Sequence, residues 1–190
     1  MILSLFGLII FSPLYLFISI LIFFQLDGPI FFRQSRAGKD GKEFSMIKFR
    51  TMTHRFKEKG LSESDAITKL GSLLRKTSLD EIPELFNILK GDMSIIGPRP
   101  LLLKYVPRYS KKHLKRLNVK PGLTGLAQIS GRNCLSWSEK FDLDIEYINN
   151  LSMLTDIKIF FKTFFVVFKS KHTDPDNDEH MSEFIGYEDE

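Results

Sequence analysis

The stretch from Ile2 to Leu26, ILSLFGLIIFSPLYLFISILIFFQL, contains no charged residue. As a helix it is long enough to cross a hydrocarbon core of about 30 Å, for which ~20 apolar residues suffice. A cleaved signal peptide fits less well, because the run is too long, no basic residue precedes it and no small-x-small site follows it. The apolar share of the whole chain, 43%, is ordinary; its concentration at one end is what sets the class. Two readings of the segment part at Ser12-Pro13. Pro13 has no backbone N–H and its ring crowds the carbonyl of Ile9, while Ser12 is able to bend a helix by bonding back to the preceding turn. Either a simple anchor spans the bilayer, or the helix breaks at Ser-Pro and leaves on the side it entered, its displaced backbone groups finding other partners. In an anchor, the positive-inside rule puts Arg33, Arg36, Lys39, Lys42 and Lys48 in the cytoplasm. Both readings leave the bulk of the chain cytoplasmic.

Outward from this segment the chain shows no Gly/Ser linker, charge block or repeat, and its 190 residues suit one compact domain after the apolar segment. We divide it into a membrane-embedded helix over 1–26, a catalytic domain over 27–171 and a flexible polar tail over 172–190. Ile30 to Arg36 and Phe44 to Met52 read as short strands joined by the turn Gly38-Lys39-Asp40-Gly41. A helix is expected from Ala66 to Lys76 with Leu70, Leu73 and Leu74 on one side. Ser78, Asp80 and Pro83 are helix-start residues, and the helix they announce should end near Lys90-Gly91. Then come a basic helical stretch around Tyr109 to Leu117, a Gly-rich loop from Pro121 to Arg132 and a helix from Ser136 to Asn150. The block Ile157 to Phe168 is too short and too charged to span. Lys158, Lys162 and Lys169 share one helical face opposite a wall of Phe and Val, which fits a helix lying in the headgroup plane and equally a core helix. The fold class is therefore α+β and mainly helical: a membrane-embedded helix that is re-entrant if it breaks at Ser12-Pro13, a short β-hairpin, and a helical domain with amphipathic helices that are interfacial or core-packed.

The formal charge is +4, with Lys and Arg gathered between Arg33 and Lys59 and between Lys104 and Lys120, a distribution suited to phosphates. Nucleic acid fits poorly, because the aromatics sit in apolar blocks and do not alternate with basic residues. The one cysteine, Cys134, excludes an internal disulfide and a multi-cysteine metal site. The sequence has no G-x-x-x-x-G-K-[ST], H-E-x-x-H, G-x-S-x-G or G-x-G-x-x-G motif. What remains is Asp80-Glu81. Taken alone, an acidic pair at a helix start is a cap. Its company is Arg75 before it, Lys90 and Asp92 after it, and Arg99 between two prolines, and a rigid guanidinium fork suits phosphate oxygens. Surface ion pairs would give the same pattern. If the substrate is a diphosphate, an attacking carboxylate needs a divalent cation and guanidinium groups to offset its charge, and Glu81 is a hard-oxygen ligand of the kind Mg²⁺ takes. A shared site for Asp80 and Glu81 needs irregular backbone at the helix mouth. Gly122, Gly125 and Gly131 let backbone approach a ligand or simply make turns, with Arg132 adjoining.

Several ordered motifs over nearly the whole chain carry a resemblance: Phe31-Phe32-Arg33-Gln34-Ser35-Arg36, Lys48-Phe49-Arg50-Thr51-Met52, Ser78-Leu79-Asp80-Glu81-Ile82-Pro83-Glu84-Leu85-Phe86-Asn87, Lys90-Gly91-Asp92-Met93-Ser94, Gly97-Pro98-Arg99-Pro100 and Lys120-Pro121-Gly122-Leu123-Thr124-Gly125. With them the chain resembles the bacterial sugar transferases known as monotopic phosphoglycosyl transferases, and most of all the small enzymes of the PglC type. Members commonly begin with a short basic stretch and an Asp, whereas this chain opens at Met1-Ile2-Leu3. The resemblance implies that Asp80 attacks the β-phosphate of a UDP-sugar, expels UMP and holds the phosphosugar covalently until polyprenyl (undecaprenyl) phosphate takes it. It implies that Glu81 assists and binds Mg²⁺, that Arg75 and Arg99 hold phosphates, and that Arg132 lies in the nucleotide-sugar pocket. Lys48 and Arg50 match a basic substrate-binding motif without individual roles. It further implies a re-entrant helix, the bacterial inner membrane with the catalytic domain on the cytoplasmic face, and downstream glycosyltransferases as partners in glycan assembly. The competing reading is a noncatalytic membrane-anchored protein that binds anionic lipid or an acidic partner through its basic surface.

Overall fold

A computed structural model describes residues 2–26, 28–54, 56, 58–62, 64–131, 135–169 and 183–186. Among these the elements run α1 (Ile2–Gln25), β1 (Phe31–Ala37), β2 (Glu43–Phe49), α2 (Lys69–Lys76), α3 (Glu84–Lys90), β3 (Ser94–Ile96), β4 (Gly122–Thr124), α4 (Leu126–Ser130), α5 (Trp137–Asn149) and α6 (Met153–Lys169), with 3₁₀ turns at Lys39–Gly41, Leu79–Glu81, Leu103–Arg108 and His113–Asn118. Among these residues the chain is mainly helical, with one short hairpin, as the pattern of its sequence led us to expect. It divides into two compact units, Met1–Gln34 with Met46–Lys90, and Ser35–Ser45 with Gly91–Glu190. One boundary crosses the hairpin and the other falls at Lys90-Gly91, so no linker composition marks the division.

In the first unit α1 runs as one helix with Pro13 inside it. The physical reason is local. Proline removes the backbone donor that the Ile9 carbonyl would otherwise receive, and Ser12 Oγ donates to that same carbonyl at 2.8 Å. One side of α1 is core: Ile18, Ile22 and Leu26 are buried with Phe49 of β2 and Leu74 of α2. Tyr15 packs its ring tilted at 4.9 Å from that of Phe49 and edge-on at 5.8 Å from that of Phe86 on α3. Contact continues toward the N-terminal end, where Ser4 is buried and a methyl added at Gly7 would meet Leu85 of α3 at 3.4 Å. The other side, including Phe6, Ile9, Ile10, Leu16, Phe17, Phe23 and Phe24, is exposed. Ser4–Gln25 is long and apolar enough to cross a membrane.

The hairpin turns through Asp40 (φ 57°). Helix α2 starts at Lys69, later than expected, because Ile67 is bridged to Met52 and Thr68 caps the helix, its Oγ1 accepting from the Gly71 amide at 3.0 Å. Leu70 and Leu74 face α1, but Leu73 is exposed: one residue before Leu74 on a helix lies about 100° away, so the expected three-leucine stripe is a pair. At Gly71 a Cβ would sit 1.9 Å from the Thr51 carbonyl oxygen, so only glycine lets α2 lie this close to the end of β2.

In the second unit β3 and β4 are parallel, with Ser94 opposite Gly122 and Ile96 opposite Thr124. They occupy stretches read as a turn and a Gly-rich loop. A Cβ at Gly122 would fall 2.1 Å from the Gly97 amide nitrogen, so these glycines serve close backbone approach. Of the basic stretch around Tyr109 to Leu117, where a helix was expected, His113–Asn118 forms a 3₁₀ turn, and the turn before it, Leu103–Arg108, ends at Tyr109 with extended backbone at ψ 141°. Helix α5 begins at a capping box made by Ser136 and Glu139. One core gathers Ile96, Ile129, Tyr147 and Ile159, and a second gathers Tyr105, Tyr109, Phe141 and Phe184. Helix α6 buries Ile159, whereas its Leu154, Ile157, Phe161 and Phe165 form an exposed apolar line, flanked by exposed Lys158 and Lys162. Of the stretch read as a polar tail, Glu183–Gly186 are described, and Phe184 packs among Tyr105, Trp137 and Phe141 with ring centroids 5.1–5.7 Å apart.

Candidate active site

Strand alternation starts the site. Phe49 points into the core of the first unit, so its neighbours Lys48 and Arg50 share the opposite face. Asn87, buried on α3, accepts from the Ile47 amide at 3.1 Å and ties that helix to β2. Lys48 then directs its Nζ at two carboxylates, 2.5 Å from Glu81 Oε1 and 3.2 Å from Glu84 Oε1. Glu81 ends the 3₁₀ turn and Glu84 opens α3; the spacing of three residues brings them to one side. Glu84 was missed by the sequence reading, and this spacing is the signal that would have found it.

Asp80 lies inside the same 3₁₀ turn and is only 9% exposed. The turn is entered through Ser78, whose backbone is left-handed at φ 55°, an unusual state for a residue other than Gly, Asn or Asp. The irregular backbone that a common site for Asp80 and Glu81 requires is therefore present. Arg75, in the last turn of α2, is exposed and donates from Nε to Thr51 Oγ1 at 2.9 Å, just beyond Arg50. Arg50 is buried beside Gly28, where any side chain would strike its guanidinium, and burial pushes its pKa down from the ordinary arginine value. Lys48, Arg50, Arg75, Asp80 and Glu81 all belong to the first unit.

Arg99 belongs to the second unit, exposed between Pro98 and Pro100. Its carbonyl oxygen accepts from Arg116 Nη2 at 2.7 Å. Arg116 in turn is paired with Asp144 of α5 at 2.8 Å. Neither partner was singled out in the sequence, because nothing local links residues so far apart. Arg132 and Cys134 lie outside the described residues.

For a divalent cation the donors are hard carboxylate oxygens, the right chemistry for Mg²⁺, and no group of three or more ligating side chains is found among the described residues. The ammonium of Lys48 against Glu81 shows that this carboxylate accepts a cation closely.

A model of the family described as bacterial sugar transferase matches residues 1–170. The chain belongs to that family. This bacterial sugar transferase is 45% identical over 177 residues to the uncharacterized sugar transferase EpsL of Bacillus subtilis, covering 92% of this chain and 88% of that one. It is 39% identical to the UDP-glucose:undecaprenyl-phosphate glucose-1-phosphate transferase of Escherichia coli, over 86% of this chain and 38% of that protein. It is likewise 39% identical to the undecaprenyl-phosphate galactose phosphotransferase of Salmonella typhimurium, over 85% of this chain and 38% of that one. Against these last two, the sugar transferase described here spans well under half of the relative's length.

Proposed function

We propose that this sugar transferase moves a phosphosugar from a UDP-sugar to polyprenyl (undecaprenyl) phosphate, giving a polyprenyl diphosphate sugar and UMP as the first membrane step of bacterial glycan assembly. The observation that carries the reading is the buried Asp80 in a strained 3₁₀ turn, next to a Glu81 already held by Lys48. A carboxylate removed from water and fixed in place is a prepared nucleophile. An Asp80 oxygen bonds to the β-phosphorus as the bond from that phosphorus to the bridging oxygen breaks, and UMP leaves with the electron pair. A phosphate oxygen of the polyprenyl phosphate then displaces the aspartyl oxygen, restoring the carboxylate. Glu81 would hold Mg²⁺, which when bound offsets the charge of the diphosphate. Lys48, Arg50, Arg75, Arg99 and Arg132 hold phosphate and nucleotide groups, charge-assisted contacts that are stronger than neutral ones. The named substrates of the related transferases support the choice of donor and acceptor.

The same proposal puts α1 in the bacterial inner membrane, bent at Ser12-Pro13 so that it enters and leaves on the cytoplasmic face, with products passed to glycosyltransferases that extend them. Its contacts support this. At 1.5 Å per residue, the 24 residues of α1 extend about 36 Å, yet α1 touches the rest of the first unit from Ser4 and Gly7 to Leu26. A free span would leave its domain behind after a turn or two. Asp80→Asn, assayed for UMP release from UDP-sugars with polyprenyl phosphate and Mg²⁺, should lose at least ~10³-fold in turnover; full release by this variant would sink the covalent mechanism.

A further inference from the structure

Arg116 uses a buried charge in an unusual way. Its Nε and Nη2 donate to Asp144 Oδ2 at 3.1 and 2.8 Å, and its Nη1 donates to Tyr109 Oη at 3.0 Å. Its Cζ lies 5.4 Å from the ring centroid of Tyr109 and 5.3 Å from that of Phe141. Burial pushes the Asp144 carboxyl up, and the guanidinium beside it works in the opposite direction; with the fork of Arg116 on one carboxylate oxygen, we take the pair as ionised. Taking two charges out of water is costly, and an apolar pair of similar size commonly holds a fold as well. What an apolar pair cannot do is donate. The donation left over after Asp144 and Tyr109 runs from Nη2 to the main-chain carbonyl of Arg99.

That carbonyl sits in a segment held at successive points. The Gly97 amide donates to Thr124 and the Pro98 carbonyl accepts from Gly122, both at 2.9 Å, and the rings of Pro98 and Pro100 fix φ on either side of Arg99. Backbone beneath Arg99 is thus pinned, while its side chain is exposed. We infer that Arg116, anchored by Asp144 and Tyr109, is a positioning residue that fixes the backbone of Arg99 so that its guanidinium meets the diphosphate of the nucleotide sugar. The inference rests on the reading of Arg99 as a phosphate-holding residue.

The test uses the full chain in detergent and measures binding of UDP and of uridine by calorimetry. Four proteins are compared: the unaltered chain, Arg99→Ala, the double variant Arg116→Met/Asp144→Leu, and the three substitutions together. Arg99→Ala should weaken UDP about tenfold and leave uridine unchanged, because only UDP carries the phosphates. The double variant should weaken UDP about fivefold, again sparing uridine. The triple variant should be no worse than Arg99→Ala, since residues acting through one another are not additive. UDP binding untouched by Arg99→Ala sinks the reading of Arg99, and the inference with it. A normal Arg99→Ala effect with an unaffected double variant overturns the inference alone, as does an additive triple variant or an equal loss for uridine. Should the double variant fail to fold, Arg116→Lys replaces it: the charge stays near Asp144, the multipoint fork is lost, and unchanged UDP binding by that variant overturns the inference.

Discussion

In the first unit Lys48 meets Glu81 and Glu84 with side chains 14%, 18% and 4% exposed, whereas in the second Arg116 meets Asp144 with side chains 3% and 4% exposed. Both clusters pair a cation with carboxylates across different elements. The first is partly open to solvent at Lys48 and Glu81, while Glu84 is as closed as Asp144. The second is sealed between aromatic rings and holds a main-chain carbonyl. The difference teaches that one type of ion pair stands partly solvated in one place and sealed in another, and that only the first leaves a carboxylate, that of Glu81, within reach of solvent.

The largest effect should come from breaking the sealed pair on one side. Arg116→Met leaves Asp144 buried without its partner and should cost about 3–5 kcal/mol in chemical denaturation, whereas Arg116→Met/Asp144→Leu should recover most of that loss. Next, Gly71→Ala puts a methyl against the Thr51 carbonyl and should cost about 2–3 kcal/mol, read from the same denaturation curves, because α2 must move off the strand end. Lys48→Met tests the open cluster. Its pair is partly solvated, so stability should fall by only about 1 kcal/mol, while UMP release should fall by roughly a hundredfold. A stability loss as large as that of Arg116→Met would erase the distinction between the clusters.

The smallest effect concerns Glu183, whose carboxyl is held below its ordinary value by hydrogen bonds from Lys104 and Arg108. A lowered folded value stabilises the docked segment above the ordinary glutamate range near 4.5 and withdraws that support as pH falls through the folded value. Trp137, the single tryptophan, lies 5.7 Å from Phe184 between ring centroids. Its fluorescence should therefore shift on acidification in the unaltered chain, and much less in Glu183→Gln.

Much of the first unit could be read from sequence because its signals are local. The apolar run and the irregular mouth before α3 each depend on residues within a few positions of one another, as does the hairpin turn of the second unit. Ser12-Pro13 carries its own compensation: the same serine that suggests a bend supplies the hydrogen bond proline removes. In the second unit the decisive contacts are distant. β3 and β4 are only three residues each, too short for periodicity to register, and they exist because glycines permit close backbone approach. Arg116 and Asp144 meet across α5 with no spacing rule to announce them. Asp80 and Glu81 looked like a helix cap and do sit at a helix mouth; burial and the Lys48 contact distinguish them, and neither is visible in a list of residues.

The two-sided character of α1 bears on how the protein is to be handled. A chain truncated at the hairpin to obtain a water-soluble enzyme would lose Ile18, Ile22 and Leu26, and with them the surface that covers Phe49 and Leu74. The fragment would exchange an oily outer face for an oily wound, and would precipitate where the intact chain needs only a detergent belt.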